Sequence, residues 1–147
     1  MLFKKKLLIF PTSRAIRNFI TSQKSNNTLL PFTLTIDEFF KKSTLLNSMK
    51  YCEEEQRVLF LNEAIKDTNI KKLGISDNFT KFLKQSDYIY RFFLELSSEK
   101  IDISDIQNVD TYDFYFEHLE ILQEIRKNYI SILEKNSYVD KINLSNH

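Results

Sequence analysis

The chain has 147 residues, a net charge of +1 and 42% hydrophobic residues, enough for one domain with a core or for part of a larger protein. Its single glycine, Gly74, and its two prolines disfavour β-sandwiches and barrels and exclude the glycine-rich loops that cradle phosphates. The single cysteine, Cys52, excludes an intrachain disulfide and a cysteine-based zinc cluster.

The first strand–helix unit is predicted from an apolar run followed by a proline. Residues 6–10 are typical of a short buried strand, and Pro11 ends it because proline has no N–H to donate to a sheet. Thr12 or Ser13 can then cap a helix that runs to about Gln23. Its apolar side chains recur at helical spacing and consist of Ala15, Ile16, Phe19 and Ile20.

A second unit of the same kind follows. Residues 32–35 predict another short strand, and Thr35 with Glu38 fits a capping box at the start of the next helix. The side chains expected to point inward from that helix are Ile36, Phe39 and Phe40. Two strands separated by a helix favour parallel pairing through a right-handed crossover.

From residue 47 onward the apolar spacing predicts helices. They cover about 53–66, about 77–97 with Ser76 as cap, and about 110–135 with Asp110 as cap. The aromatic and aliphatic stripe of the second of these helices is Phe79, Phe82, Leu83, Tyr90, Phe93 and Leu94. This stripe could stack single-stranded bases, but its helical spacing favours a core role.

The predicted fold is therefore a helix-rich α/β protein with three parts. Residues 1–46 form a small parallel βα-βα unit, residues 47–136 form an all-helical subdomain, and residues 137–147 form a tail that returns toward the α/β unit.

Charge is distributed unevenly along the chain. Residues 1–50 contain nine Lys and Arg against two acidic residues, a net charge of +7, whereas the rest contains twelve against eighteen, a net charge of −6. A basic head suggests an anionic partner such as nucleic acid, and the alternative is an uneven solvated surface.

The start of the chain resembles a signal peptide only superficially. The apolar run Leu7–Phe10 is too short, no small-residue cleavage site follows, and no stretch approaches the length of a membrane span. The sequence therefore predicts a cytoplasmic protein with no membrane contact.

No arrangement of catalytic residues can be recognised in the sequence. His118 lies within a predicted helix beside acidic residues, which favours a helix–helix contact over a metal ligand or general base. The acidic run 53–55 is best explained as the charged start of a helix, and Cys52 has no partner that would make it a nucleophile. No cofactor or metal is expected in this chain.

Hydroxyl and basic side chains follow the first predicted strand. Thr12 and Ser13 supply hydroxyls, Arg14 lies in the first helical turn, and Arg17 lies one turn later. Free backbone N–H groups and a guanidinium at a helix N-terminus suit a phosphate. Thr35, at the second βα turn, is expected at the same carboxyl edge, where open α/β sheets bind ligands. The alternative is that both turns only cap their helices.

Two segments resemble superfamily 1 helicases. Phe10–Phe19, FPTSRAIRNF, resembles motif Ia, T-F-T-N-K-A-A-x-x-M, with Arg14 at the position of the lysine and Ala15 at the first alanine. Leu34–Phe40, LTIDEFF, resembles the following T-F-H-S-[LF] segment, with Asp37 in place of the histidine.

The order of segments from residue 7 to about 144 is similar to the N-terminus of AddB-type subunits of the AddAB (RecBCD-like) helicase–nuclease. A divergent bacterial branch begins LxxFPTxRAIR and continues LLPxxxTIxEF, E-x-x-R-xx-L, FxxFLxxSxYIxxFFxEL and DTYxxYxEHLxIL. The corresponding parts of this chain are Leu29–Pro31, Thr35–Phe39, Glu54 with Arg57, Phe79–Leu96 and Asp110–Leu122.

The resemblance implies an N-terminal fragment of a double-strand-break repair helicase/exonuclease subunit, with single-stranded DNA and an AddA-type helicase subunit as partners. The family's PD-(D/E)xK nuclease and iron–sulfur cluster have no counterpart in this sequence. The chain is therefore expected to supply DNA-backbone contact and scaffold and not to be an enzyme by itself, whereas the family it resembles acts as an ATP-dependent helicase/deoxyribonuclease. The alternative is a non-catalytic helical protein-interaction module whose acidic half docks a partner.

Overall fold

The computed structural model describes residues 6–23, 29–46, 48–107 and 115–143. It divides the chain into two compact units, Met1–Met49 and Lys50–His147. The boundary expected between residues 46 and 47 lies close to this division. The predicted cap Asp110 and the basic residues Lys4, Lys5 and Lys24 fall outside the described residues.

The first unit contains two strand–helix pairs. Strand β1 covers Leu7–Phe10, helix α1 Ser13–Gln23, strand β2 Phe32–Thr35 and helix α2 Ile36–Leu46. The two strands pair in parallel, with Leu7 opposite Phe32 and Phe10 opposite Thr35. The predicted parallel βα-βα unit is confirmed.

Helix α1 begins at Ser13, two residues after Pro11, and packs its apolar face on the sheet. Ala15, Ile16 and Phe19 are half-buried, and the Phe19 ring lies 5.3 Å from the ring of Phe10 in β1. The helical spacing of these residues thus marks the face that covers the strand.

The first unit buries few side chains completely. Among its described residues only Leu34 and Thr44 are buried, whereas Leu7, Ile9 and Phe32 are 44%, 45% and 62% exposed. Ile36, expected to point inward, is 45% exposed. The physical reason is that two short strands offer too little surface for the helices to enclose, and parallel sheets are normally covered on both faces.

The second unit is built mainly from helices. Its elements are β3 (Lys50–Tyr51), α3 (Glu54–Ala64), a 3-10 turn (Ile70–Leu73), α4 (Phe79–Glu99), α5 (Ile103–Gln107), α6 (Phe116–Lys135) and β4 (Tyr138–Val139). Strand β4 pairs in parallel with β3, with Lys50 opposite Tyr138. Residues 138 and 139 of the predicted tail thus complete a short sheet within the second unit, and the return of the tail toward the α/β unit stays a prediction.

Helices α3, α4 and α6 enclose the core of the second unit, with α3 packed against both of the others. Its largest completely enclosed side chains include Phe82, Phe93, Ile103, Ile125, Tyr129 and Leu133. The aromatic residues of the α4 stripe therefore serve mainly as core, although Phe79 and Leu83 are 42% and 44% exposed.

Helix ends differ from the predictions by a few residues. Helix α4 begins after Asn78, not after Ser76, because the Asn78 Oδ1 accepts hydrogen bonds from the N–H groups of Thr80 at 3.1 Å and Lys81 at 3.3 Å. Gly74 adopts a positive φ of 70° after the 3-10 turn, a conformation that glycine adopts without steric cost.

None of the helices within the described ranges is long and apolar enough to cross a membrane.

Candidate functional site

The predicted phosphate-contacting residues lie at one edge of the first unit's sheet. Because Phe10 pairs with Thr35 in a parallel register, the carboxyl ends of β1 and β2 are neighbours. Helices α1 and α2 start at this edge, so both of their N-termini, with their partial positive charge, lie on the same side of the sheet. We call this surface, formed by residues 11–17 and 35–38, the carboxyl edge.

Thr12 acts as the cap of α1. Its Oγ1 accepts a hydrogen bond from the N–H of Ala15 at 3.3 Å, and its carbonyl accepts one from the N–H of Ile16 at 3.3 Å. Of the two hydroxyls proposed for this turn, that of Thr12 is thus engaged in capping. Within the described part of the chain, the Ser13 hydroxyl makes no hydrogen bond, and Ser13 is exposed.

Arg14 and Arg17 are exposed and lie three residues apart, so both guanidinium groups project from neighbouring positions on one side of α1. Neither side chain forms an ion pair with any other described residue. These two cations are consequently available to an anion in solution.

Thr35 and Glu38 form the predicted capping box. The Glu38 Oε2 accepts hydrogen bonds from the Thr35 N–H at 2.8 Å and from the Thr35 hydroxyl at 3.0 Å, while the Thr35 Oγ1 accepts from the Glu38 N–H at 3.2 Å. The backbone N–H and hydroxyl of Thr35 lower the pKa of Glu38. Thr35 therefore caps α2, and an ionised carboxylate beside it disfavours a phosphate at that turn.

A second polar cluster lies in the interior of the second unit around Asp140, which is completely buried. Its Oδ1 accepts hydrogen bonds from the Tyr90 hydroxyl at 2.8 Å and the Lys141 N–H at 2.6 Å. Its Oδ2 accepts from the Tyr129 hydroxyl at 2.6 Å and the Arg57 Nε–H at 3.2 Å. We call these residues the Asp140 cluster.

The Asp140 cluster has the properties of a structural anchor. Four donors occupy the lone pairs of the carboxylate, so no position is left for a metal ion or a substrate. The Arg57 guanidinium also stacks on the Tyr90 ring, 3.8 Å from its centroid. Burial would lower the pKa of Arg57, but the nearby Asp140 and tyrosines outweigh it and raise that pKa.

The cluster also keeps the neighbouring hydroxyl and thiol groups protonated. Burial, and then the charge of Asp140, raise the pKa values of Tyr90 and Tyr129. Burial raises the pKa of the Cys52 thiol to about 11, and Asp140 adds to the increase. A protonated, buried thiol 3.9 Å from the Tyr129 hydroxyl is a poor nucleophile.

Sequence patterns did not indicate Asp140. A single acidic residue in the last ten positions is normally exposed, and its partner Arg57 lies on a distant helix. The available signal was the pair of apolar residues on either side of it, Val139 and Ile142, which are both buried.

The other candidate residues form no reactive site. His118 is half-buried with its ring 6.0 Å from that of Tyr115, and no group of metal-ligating side chains occurs among the residues that the structure describes. The acidic run 53–55 lies at the start of α3, as predicted.

No family model, no curated protein and no solved structure matches the chain. The resemblance to AddB-type subunits therefore stays a prediction that rests on the order of the sequence motifs.

Proposed function

We propose that the first unit is a partial helicase-like unit that contacts the backbone of single-stranded DNA, within a cytoplasmic AddB-type subunit of a repair helicase–nuclease that works with an AddA-type helicase subunit. In this proposal the chain supplies binding and scaffold, and the family's chemistry belongs to other parts of the protein.

One observation carries the proposal: the first βα turn, at the carboxyl edge of the sheet, leaves its cationic and hydroxyl side chains exposed. Arg14 and Arg17 supply two exposed guanidinium groups there. The first turn of α1 adds backbone N–H groups, which have no carbonyl acceptor within the helix. Ser13 adds an exposed hydroxyl. Thr12 and Thr35 position the two helices through capping, so we assign the direct phosphate contacts to Ser13, Arg14 and Arg17.

The test is binding of a fluorescent oligothymidine to the whole chain across a series of salt concentrations. Replacing Arg14 and Arg17 together by alanine should weaken binding and reduce the slope of log K against log salt by about 1.4, because each lost phosphate contact contributes about 0.7 for single strands. Lys81→Ala with Lys84→Ala removes the same charge from exposed positions of α4 and is the matched control.

An affinity of the Arg14 and Arg17 double variant equal to that of the wild type at low salt would contradict the DNA assignment of the carboxyl edge. A loss of equal size in both would show only a general effect of net charge.

A second candidate function, a non-catalytic helical protein-interaction module, is favoured by a separate observation. Leu59, Phe79 and Leu83 of the second unit are 55%, 42% and 44% exposed and line one hollow together with Glu54 and Glu55. Clustered exposed apolar side chains with a polar rim are typical of protein-binding surfaces.

A further inference from the structure

A groove runs between α3 and α4 on the surface of the second unit. It consists of two adjoining hollows of about 530 and 590 Å³ that share the lining residues Glu54, Val58 and Leu83. Along α4 it extends from Phe79 to Leu94, which corresponds to about 22 Å at 1.5 Å per residue. We call it the α3–α4 groove.

The apolar end of the groove is formed by exposed side chains that are not part of the core. Helix α3 turns Leu61 and Ala64 into the core, whereas Leu59 is 55% exposed on another side of the same helix. Helices on a protein surface normally present polar residues to water. Exposed Leu59 of α3, next to exposed Phe79 and Leu83 of α4, therefore indicates a contact surface.

The charged side chains of the groove that form no ion pair with a described residue are acidic. Both arginines that line it are already paired, Arg57 with Asp140 at 3.2 Å and Arg91 with Asp87 at 2.7 Å. Glu54 and Glu55 are exposed, and neither forms an ion pair with any described residue. At its Phe79 end the groove thus presents an apolar floor with two free carboxylates at its rim, whereas Ser86, Asp87 and Arg91 make its other end more polar.

We propose that the α3–α4 groove binds an amphipathic, basic helix of a partner protein. A helix of about 15 residues matches the length of the groove, and apolar side chains at i, i+3 or i+4, and i+7 would reach Leu59, Phe79 and Leu83. Lysine or arginine residues at its flanks would face Glu54 and Glu55. This inference rests on the second candidate function and names the class of partner.

The probe is a fluorescein-labelled peptide of about 15 residues with leucines at i, i+3, i+4 and i+7 and lysines elsewhere, titrated with the whole chain by fluorescence anisotropy. A peptide of identical composition with leucines at every second position cannot form an apolar helical stripe and is the control. The helical peptide should bind and the control peptide should not.

Two sets of variants separate the apolar and the electrostatic contributions. Leu59→Ser with Leu83→Ser should weaken binding by about tenfold or more, since it removes two central apolar contacts. Glu54→Gln with Glu55→Gln should weaken binding several-fold at low salt and should not matter at high salt. Tyr88→Ser, at a 76% exposed position of α4 that does not line the groove, should leave the affinity unchanged.

Each contrary result overturns a different statement. Binding of the helical peptide that the groove variants do not weaken would place the contact elsewhere, so the interaction function would stand without the groove. Absence of binding, or equal binding of both peptides, would overturn this inference and would leave the second candidate function without this class of partner. A dimer in sedimentation equilibrium that Leu59→Ser with Leu83→Ser dissociates would assign the groove to a second copy of this chain.

Discussion

At the scale of single residues, the capping residues and the buried carboxylate have different chemical roles. The hydroxyl oxygens of Thr12 and Thr35 accept hydrogen bonds that cap helix N-termini, whereas the charged side chains of Arg14 and Arg17 are exposed to solvent. Asp140 differs from them, since it is completely buried and accepts hydrogen bonds from four protein donors. Desolvation makes such a group costly to leave partly unpaired.

Asp140→Asn tests the stabilising effect of the cluster. The substitution removes the charge that faces the Arg57 guanidinium and places an amide N–H₂ against at least one existing donor. We expect the free energy of unfolding to fall by about 3 kcal/mol, because breaking one side of a buried pair leaves the other uncompensated. Urea denaturation followed by circular dichroism measures the loss.

The control for this prediction is Asp87→Asn, which makes the same chemical change at an exposed ion pair with Arg91. Surface pairs contribute about 0–1 kcal/mol, so this variant should remain near the wild type. If both variants lost the same amount, the Asp140 cluster would not be a special contributor to stability.

At the scale of helices and strands, the spacing of apolar residues predicted where helices lie better than the capping residues predicted where they begin. The apolar spacing located α1, α4 and α6, because burial of one face imposes the 3.6-residue period on the sequence. The ends of α4 were less predictable, since Ser76 and Asn78 are both suitable caps and only the local backbone decides between them. Strands β3 and β4 have two residues each and leave no periodic signal.

The competition between the two caps gives a direct test. Asn78→Ala should lower the free energy of unfolding by about 1 kcal/mol, because the N–H groups of Thr80 and Lys81 lose their acceptor. Ser76→Ala removes only the exposed hydroxyl that accepts the Asn78 N–H at 3.2 Å and should cost less. The midpoints of urea unfolding compare the two, and the reverse order would show that Ser76 is the effective cap.

At the scale of the whole molecule, the two units differ in how much core they contain. The carboxyl edge could be predicted because parallel pairing follows from the order strand, helix, strand. The Asp140 cluster could not, because its members come from α3, α4, α6 and the final turn, and no local pattern links them. A helix imposes a regular spacing of apolar residues on the sequence, whereas contacts between distant residues produce no pattern within a short segment.

The difference in core predicts different local stabilities. Amide hydrogens of β1 and β2 should exchange at least about a hundredfold faster, after correction for intrinsic rates, than those at the centre of α6. The reason is that the first unit encloses few of its described side chains, whereas Ile125, Tyr129 and Leu133 of α6 are completely buried. Hydrogen exchange followed by mass spectrometry on the whole chain measures this, and equal protection would mean that both units unfold together.

The pairing of β3 with β4 has a consequence for how the second unit is made. Its two strands lie far apart in the sequence, so Lys50 can pair with Tyr138, and Arg57 with Asp140, only after residues 138–140 have left the ribosome. Closing so long a loop has a large cost in chain entropy. Forming the local contacts within α3, α4 and α6 has a much smaller one. Helical turns can therefore form along the nascent chain, while completion of the core waits until residues 138–142 have been translated.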